Sequence, residues 1–237
     1  MRGRPEGMPL MHQTWEKLLF MHWPFSPEMV QRYLPRGLEV DTFNDVAWVA
    51  LTPFTVSNFA LTSLPPIPGV SSFHELNLRT YVHADGVPGV WFFTLEASKL
   101  LPVLGARVFY WLDYRHSDII FRTVGDKLEF IAHREDNINA DFEAQWTPGD
   151  VLPEPETDSL EFFLVERYAL FAARENEVVQ ARIYHAPWEL HSAELSSFET
   201  TMFDWVGLPN PIAEPLLHYS PVQNVEIWAP APVVQGL

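Results

Sequence analysis

"FHELNLRTYV", Phe73 to Val82, is the stretch on which the reading of this chain turns. At a period of two its side chains divide onto two faces. His74, Leu76, Leu78, Thr80 and Val82 form a mostly apolar set that asks for a core. Phe73, Glu75, Asn77, Arg79 and Tyr81 form the other set: an acid, an amide and a base in a row, bracketed by aromatics. Charged residues are seldom buried, so periodicity alone favours solvent for this second face, with any Glu75–Arg79 pair worth little. The aromatics at both ends argue the other way, because inward positions of a closed barrel line a cavity. In a cavity Glu75 and Arg79 would hold each other charged, and losing one partner of such a pair costs roughly 3–5 kcal/mol.

Outward from this strand the chain reads as hairpin after hairpin. It turns at Ala84-Asp85-Gly86 and returns as "GVWFFTLEA". Upstream, "GLEVDTF-ND-VAWVALTPF" is a hairpin turning at Asn44-Asp45. Downstream, "SDIIFRTV-GD-KLEFIAHRE" and "YALFAAR-EN-EVVQARIYHAPW" repeat the pattern, "NINADFEAQW" adds a strand, and "PLLHYSP" and "NVEIWAP" read as terminal strands. Helices are few and short. "FSPEMVQRYLP" has Ser26 as N-cap, Pro27 at the first helical position and Phe25 placed to staple onto Val30. "DSLEFFLVERY" opens with Asp158 and Glu161 at capping-box spacing, Ser98 caps a helix through "KLLPVLGARVFYW", and "SSFETTMFDWVG" reads as a helix ending at Gly207. "TPGDVLPEPETDS" is the best loop candidate. The pattern predicts a mainly β (α+β) fold, an antiparallel barrel or sandwich with helical insertions, in a single domain over 1–237 with residues 1–12 as a flexible N-terminus.

Composition narrows the chemistry. The chain has 237 residues and a formal net charge of −16, with no local basic patch, so neither nucleic acid nor anionic lipid is expected as a partner. There is no cysteine, which excludes disulfides and thiolate chemistry. No apolar run of spanning length or secretory leader is visible, so a cytoplasmic location without membrane association is expected. The acidic charge and the aromatics of "MHWPF" are compatible with a homodimer. The chain has three lysines, Lys17, Lys99 and Lys127.

Few local motifs carry chemistry. No nucleophile elbow, phosphate loop or dinucleotide fingerprint occurs. No two histidines stand at helical metal spacing, so neither metal nor cofactor is expected. His22, His185 and His218 sit in aromatic or proline-rich strands, where hydrogen-bonded structural histidines are the commoner case. Glu166 and Arg167, adjacent in "FLVERYALF", face opposite ways in a strand and read as structural charges at a helix-to-strand junction.

Six blocks, "HWPFSPEMVQRYLPRGLEVDTFNDVAWVALTPF", "FHELNLRTYV", "GVWFFTLEA", "LEFFLVERYAL", "HAPWEL" and "PLLHYSP", together resemble the YqjF-like family of unknown function, from about Trp15 to Trp228. That family is similar to the acetoacetate decarboxylase superfamily. The resemblance implies an antiparallel β-barrel-like cone with a central cavity and a few short helices. "LPRGLEVD" looks like the stretch after the first helix of those decarboxylases, and Glu75 falls where their cavity glutamate lies. This turns the polar face of the strand inward.

The resemblance also fails at a telling place. Those enzymes use two adjacent lysines, one forming a Schiff base with its pKa lowered by the other. Here the corresponding region continues as "LDYRH", and no lysine stands beside a second cation. Imine chemistry of that kind is not expected. The candidate site is therefore Glu75 as an acid or base, with Asn77, Arg79, Tyr81, Arg107, Tyr114, His116 and His22 around a small-molecule ligand. Three functions remain open: a non-imine enzyme acting on a small carboxylate or carbonyl compound, a non-catalytic binding barrel, and a structural or interaction barrel.

Overall fold

A computed structural model describes residues 2–66, 71–99, 111–134, 140–174 and 177–233. Among these, thirteen strands form one sheet system. They are β1 (Met11–Phe25), β2 (Glu39–Val40), β3 (Ala47–Leu61), β4 (Phe73–Ala84), β5 (Val87–Ala97), β6 (Tyr114–Val124), β7 (Lys127–Arg134), β8 (Asp141–Val151), β9 (Ala169–Arg174), β10 (Glu177–His185), β11 (His191–Thr200), β12 (Leu216–Ile227) and β13 (Ala231–Pro232). Three short helices interrupt them: α1 (Pro27–Gln31), α2 (Leu160–Val165) and α3 (Met202–Val206). No helix among the described residues is long and apolar enough to cross a membrane.

The sheet closes because two strands act as junctions. β5 pairs with β4, β6 and β9, and β12 pairs with β1, β11 and β10. The circuit β5-β6-β7-β8-β11-β12-β1-β3-β4 is a closed nine-strand barrel. The pair β9-β10 bridges the same two junctions on the opposite side of β1-β3-β4, as a flap. Pairing is antiparallel except at β5–β6 and β5–β9, which are parallel. The flap can approach β5 only because residue 89 is glycine. A Cβ there would lie 2.6 Å from the Ala169 carbonyl oxygen and 2.7 Å from the Phe171 ring.

Over most of its length the wall β1-β3-β4 is therefore covered on both sides, with a few exposed residues such as Lys17, Asn58 and Leu61. One face packs into the closed barrel, where Leu19, Met21, Trp23, Val49, Leu51, Leu76 and Leu78 join Phe130, Phe142 and Trp146. Fully burying Leu76 and Leu78 contributes about 1.5–3 kcal/mol each. The other face looks at the flap, with Leu18, Phe20, Phe54, Val56, Phe73 and Tyr81 in a second cluster. Two residues adjust the alternation. Lys17 (φ 54°) and Asn58 (φ 52°) take left-handed backbone, and each reverses the parity of its strand. Met11, Gln13 and Trp15 thus share the flap-facing side with Leu18 and Phe20.

Local signals set the short elements. Ser26 caps α1 by accepting from the Met29 amide, with Pro27 opening the helix. Asn44 (φ 50°) and Asp45 (φ 62°) form the expected turn, closed by the Phe43–Val46 bridge. The strand before that turn pairs elsewhere, however: β2 adds to β4 and not to β3. Asp85 (φ 54°) and Gly86 (φ 75°) make the β4–β5 turn.

Several further local expectations are corrected. The cap of α2 is Ser159, which accepts from the Phe162 amide, and not Asp158. "SSFET" belongs to β11, leaving only α3 before the left-handed Gly207 cap. The two terminal strands are one, β12, and the first half of the supposed loop "TPGDVLPEPETDS" is the end of β8. The helix expected after Ser98 falls almost wholly outside the described residues. Met11 and His12, at the end of the segment expected to be flexible, lie in β1, and Arg2 reaches Glu154 and Glu166.

Candidate functional site

Between the β1-β3-β4 wall and the flap lies a cavity of about 350 Å³. That is within the range of small-ligand pockets, about 300–1,000 Å³. Its lining is largely apolar, with Trp15, Phe54, Phe59, Phe73, Phe92 and Trp188 among the aromatics. Trp188 stacks on Trp15 at 6.1 Å and meets Phe20 edge-on at 5.1 Å. Against this background the polar groups are sparse: Gln13, Thr52, Glu75, Asn77, Arg79, Tyr114, Arg167 and His185.

β4 delivers three of them from one face, as its alternation requires. Glu75 is 4% exposed and Asn77 6% exposed. The Tyr114 hydroxyl, at the start of β6, donates to Glu75 Oε2 at 2.9 Å. Burial pushes the Glu75 carboxyl up to about 8, although hydrogen bonds from Tyr114 and Asn77 pull the other way. At neutral pH this group is within reach of both protonation states.

The expected Glu75–Arg79 pair does not form. Both side chains face the cavity, but no carboxylate among the described residues pairs with Arg79. Four residues along a strand separate the two Cα atoms by roughly 13 Å. The Arg79 guanidinium instead lies 5.3 Å from the Phe20 ring and 5.8 Å from the Tyr81 ring, and its buried Nε has no hydrogen-bond partner. The correction matters for chemistry. A paired Glu75 would stay ionised, whereas an unpaired one in an apolar wall retains its proton.

Below Arg79 is a second polar cluster. His22 Nε2 and the Tyr81 hydroxyl share a hydrogen bond of 2.7 Å, both fully buried. Burial, then the Arg79 charge, then His218 push His22 well below the usual imidazole range, so it is neutral. Arg167 reaches the same place from the end of α2. Its Nη1 pairs with Asp41 Oδ2 at 2.5 Å, its Nε donates to the Phe163 carbonyl, and its guanidinium lies 5.1 Å from the Tyr81 ring. Two guanidiniums thus flank Tyr81, with Asp41 balancing only Arg167.

The sequence candidates sort as follows. Glu75, Asn77, Arg79 and Tyr114 line the cavity. Tyr81 and His22 lie behind it, and His116 is outside its lining. Arg107 lies outside the described residues. Sequence reasoning missed Arg167, His185, Gln13 and Thr52. Arg167 reads from the sequence as a structural charge at a helix-to-strand junction, and its neighbour Glu166 does point elsewhere, accepting from the Tyr168 hydroxyl and the Trp188 amide. The signal was in "LPRGLEVD": Asp41 is the acid that holds Arg167. His185 donates from Nδ1 to the Ala186 carbonyl at 2.7 Å, stacks on Tyr168 at 4.5 Å, and is pushed down by burial. None of the three lysines lines the cavity, and the Lys17 ammonium lies 5.7 Å from the Phe121 ring. No cluster of three or more His, Asp or Glu among the described residues forms a metal site.

Comparison with solved structures places the fold. The chain superposes on the enduracididine biosynthesis enzyme MppR in its complex with pyruvate at a TM-score of 0.70, covering 97% of this chain and 92% of that one at 15% identity. An acetoacetate decarboxylase-like enzyme from Sphingomonas wittichii RW1 gives 0.64, covering 97% and 94% at 13% identity. The acetoacetate decarboxylase of Legionella pneumophila gives 0.62, covering 98% and 92% at 12% identity. The barrel is thus of the acetoacetate decarboxylase type. In sequence, the chain is 40% identical over 224 residues to the uncharacterized protein YqjF of Bacillus subtilis (strain 168), covering 94% of this chain and 93% of that protein. Residues 12–224 match the DUF2071 family, described as an uncharacterized conserved protein. The chain belongs to the DUF2071 family, and it folds into an acetoacetate decarboxylase-like barrel.

Proposed function

We propose that the cavity binds a small carbonyl compound or keto acid and that Glu75 moves a proton at the carbon next to the carbonyl, without an imine. One observation carries this reading: a buried carboxyl, unpaired by any guanidinium, hydrogen-bonded to Tyr114 inside an apolar cavity that also holds Arg79. In its ionised form Glu75 takes the α-proton. The C–H electron pair moves into a C=C bond and the carbonyl oxygen becomes an enolate oxygen. Tyr114, whose hydroxyl meets Glu75, would donate to that oxygen, and return of a proton from Glu75 restores the ketone. A general base working near neutral pH wants a pKa near that pH, which the burial of Glu75 supplies. MppR, which shares the fold, has been crystallised with pyruvate and with a condensation product of pyruvate. Those ligands are its own, and they support keto acids as the first compounds to try.

The test is deuterium exchange at the α-carbon of acetone, pyruvate and levulinate in D₂O, followed by proton NMR. Wild type is expected to accelerate exchange of at least one, and Glu75→Gln to abolish the acceleration. Equal exchange in both proteins, or none in either, overturns the proton-transfer role. The extent of the apolar lining favours a second reading in that event, a barrel that binds without reaction.

A further inference from the structure

The polar groups of the cavity are ordered along one line. Glu75 and Tyr114 mark one end. Arg79 marks the other, with its head beside Phe20 and Tyr81 and therefore turned away from Glu75. Between them lie Asn77 and Thr52, directly opposite each other across β4 and β3. Thr52 is 1% exposed and Asn77 6% exposed, yet Thr52 Oγ1 and Asn77 Oδ1 have no hydrogen-bond partner. A buried hydroxyl and a buried amide oxygen left unpaired are costly, and both belong to the cavity lining. An unpaired guanidinium nitrogen at the same wall is a third such group.

We infer that the ligand is an extended keto acid with three separate polar groups: a carboxylate bound by Arg79, a hydrogen-bonding group such as an amide met by Thr52 and Asn77, and a carbonyl at the Glu75–Tyr114 end. Spacing sets its length. The two Cα positions lie roughly 13 Å apart and the Arg79 head points away from Glu75, so after about 3 Å for a hydrogen bond at each end a minimum of roughly 7 Å remains, about five or more bonds from carboxylate to carbonyl. Pyruvate, with adjacent carboxylate and carbonyl, cannot reach both ends. The lone charge of Arg79 suits one carboxylate, since Asp41 already answers Arg167. The aromatic remainder of the wall packs the carbon skeleton.

This inference rests on the cavity being the ligand site proposed above, and it does not depend on proton transfer. Its test is therefore binding alone, by isothermal titration at fixed pH with four probes. N-acetoacetylglycine carries the acid, amide and ketone at the inferred spacing. 6-Oxoheptanoate keeps the length without the amide. Pyruvate is short, and the methyl ester of N-acetoacetylglycine lacks the charge. The expected order is N-acetoacetylglycine, then 6-oxoheptanoate, then pyruvate, with about tenfold or more lost on esterification. Arg79→Met should remove the difference between acid and ester, and Thr52→Val the difference between the first two probes. Pyruvate binding as tightly as the longer acids, or acid and ester binding equally to wild type, overturns the inference and leaves the proton-transfer role standing. Binding in the expected order without deuterium exchange does the reverse. The ester comparison uses wild-type protein, so it stands even where a variant fails to fold.

Discussion

Glu75 and Arg79 face one cavity from one strand and do not touch. Glu75 is hydrogen-bonded by Tyr114, and Arg79 lies over Phe20 and Tyr81. Each charge is therefore exposed to its own environment. Burial raises the carboxyl, and the guanidinium is left with an unpartnered buried nitrogen.

The separation has a consequence for stability. Glu75 is raised in the folded protein from 4.5 to about 8, so the folded state holds a proton that the unfolded chain releases. Its favourable contribution is full below the unfolded value and is lost as pH rises through about 8. Thermal unfolding of wild type and Glu75→Gln across pH 5 to 9 should show the variant gaining on wild type as pH rises. Parallel curves would contradict the buried, unpaired carboxyl.

The histidines act at the other end of the scale. His22, His185 and His218 are all pushed below the ordinary imidazole value, chiefly by burial. The unfolded chain takes up protons that these rings refuse, so stability should fall as pH drops through about 6.5. His22→Gln, which removes one such ring, should weaken this acid-side dependence, as read from unfolding midpoints between pH 5 and 7.

Tyr114 offers a finer probe. Its hydrogen bond lowers the Glu75 pKa, and Tyr114→Phe removes it. The Glu75 titration should then move further up, not down. Carbon-labelled glutamate followed by NMR reads this directly, and a downward movement would show that the hydroxyl favours the protonated form.

A different pair tests the closed barrel. Arg134 and Glu96 form a buried ion pair, with Thr94 and Ser117 hydrogen-bonded to it and the Trp205 ring 4.2 Å from the guanidinium. Removing one partner by Arg134→Met should cost about 3–5 kcal/mol by denaturant unfolding, while replacing both by apolar residues should cost much less. Equal losses would mean that packing, not the stranded charge, dominates.

No lysine among the described residues stands where it could form an imine with a compound in the cavity. Borohydride added with pyruvate or acetoacetate should trap no adduct on Lys17, Lys99 or Lys127, because none of the three lines the cavity. A stable mass increase at any of them would reopen the imine route.

Much of the site could be read from the strand in which it lies. The alternation in Phe73–Val82 separates Glu75, Asn77 and Arg79 from Leu76 and Leu78, and the structure keeps that division. Ser26, Asn44-Asp45 and Asp85-Gly86 likewise set a cap and two turns through their own backbone chemistry. Arg167 and His185 were not legible in the same way. They reach the cavity only because the flap closes over it, and the flap approaches only where Gly89 leaves room.

By itself, then, the sequence determined which side chains share a face, where the chain turns, and that no lysine pair exists. Whether the polar face of β4 is wet or dry was decided elsewhere. Alternation is a local property of an extended backbone, but burial depends on what covers each face. Here the closed barrel covers one side and the flap the other, joined at β5 and β12 by contacts between segments far apart in the chain. The gap between Glu75 and Arg79, by contrast, is local in origin, because a strand holds residues four apart at a distance that neither side chain spans as placed.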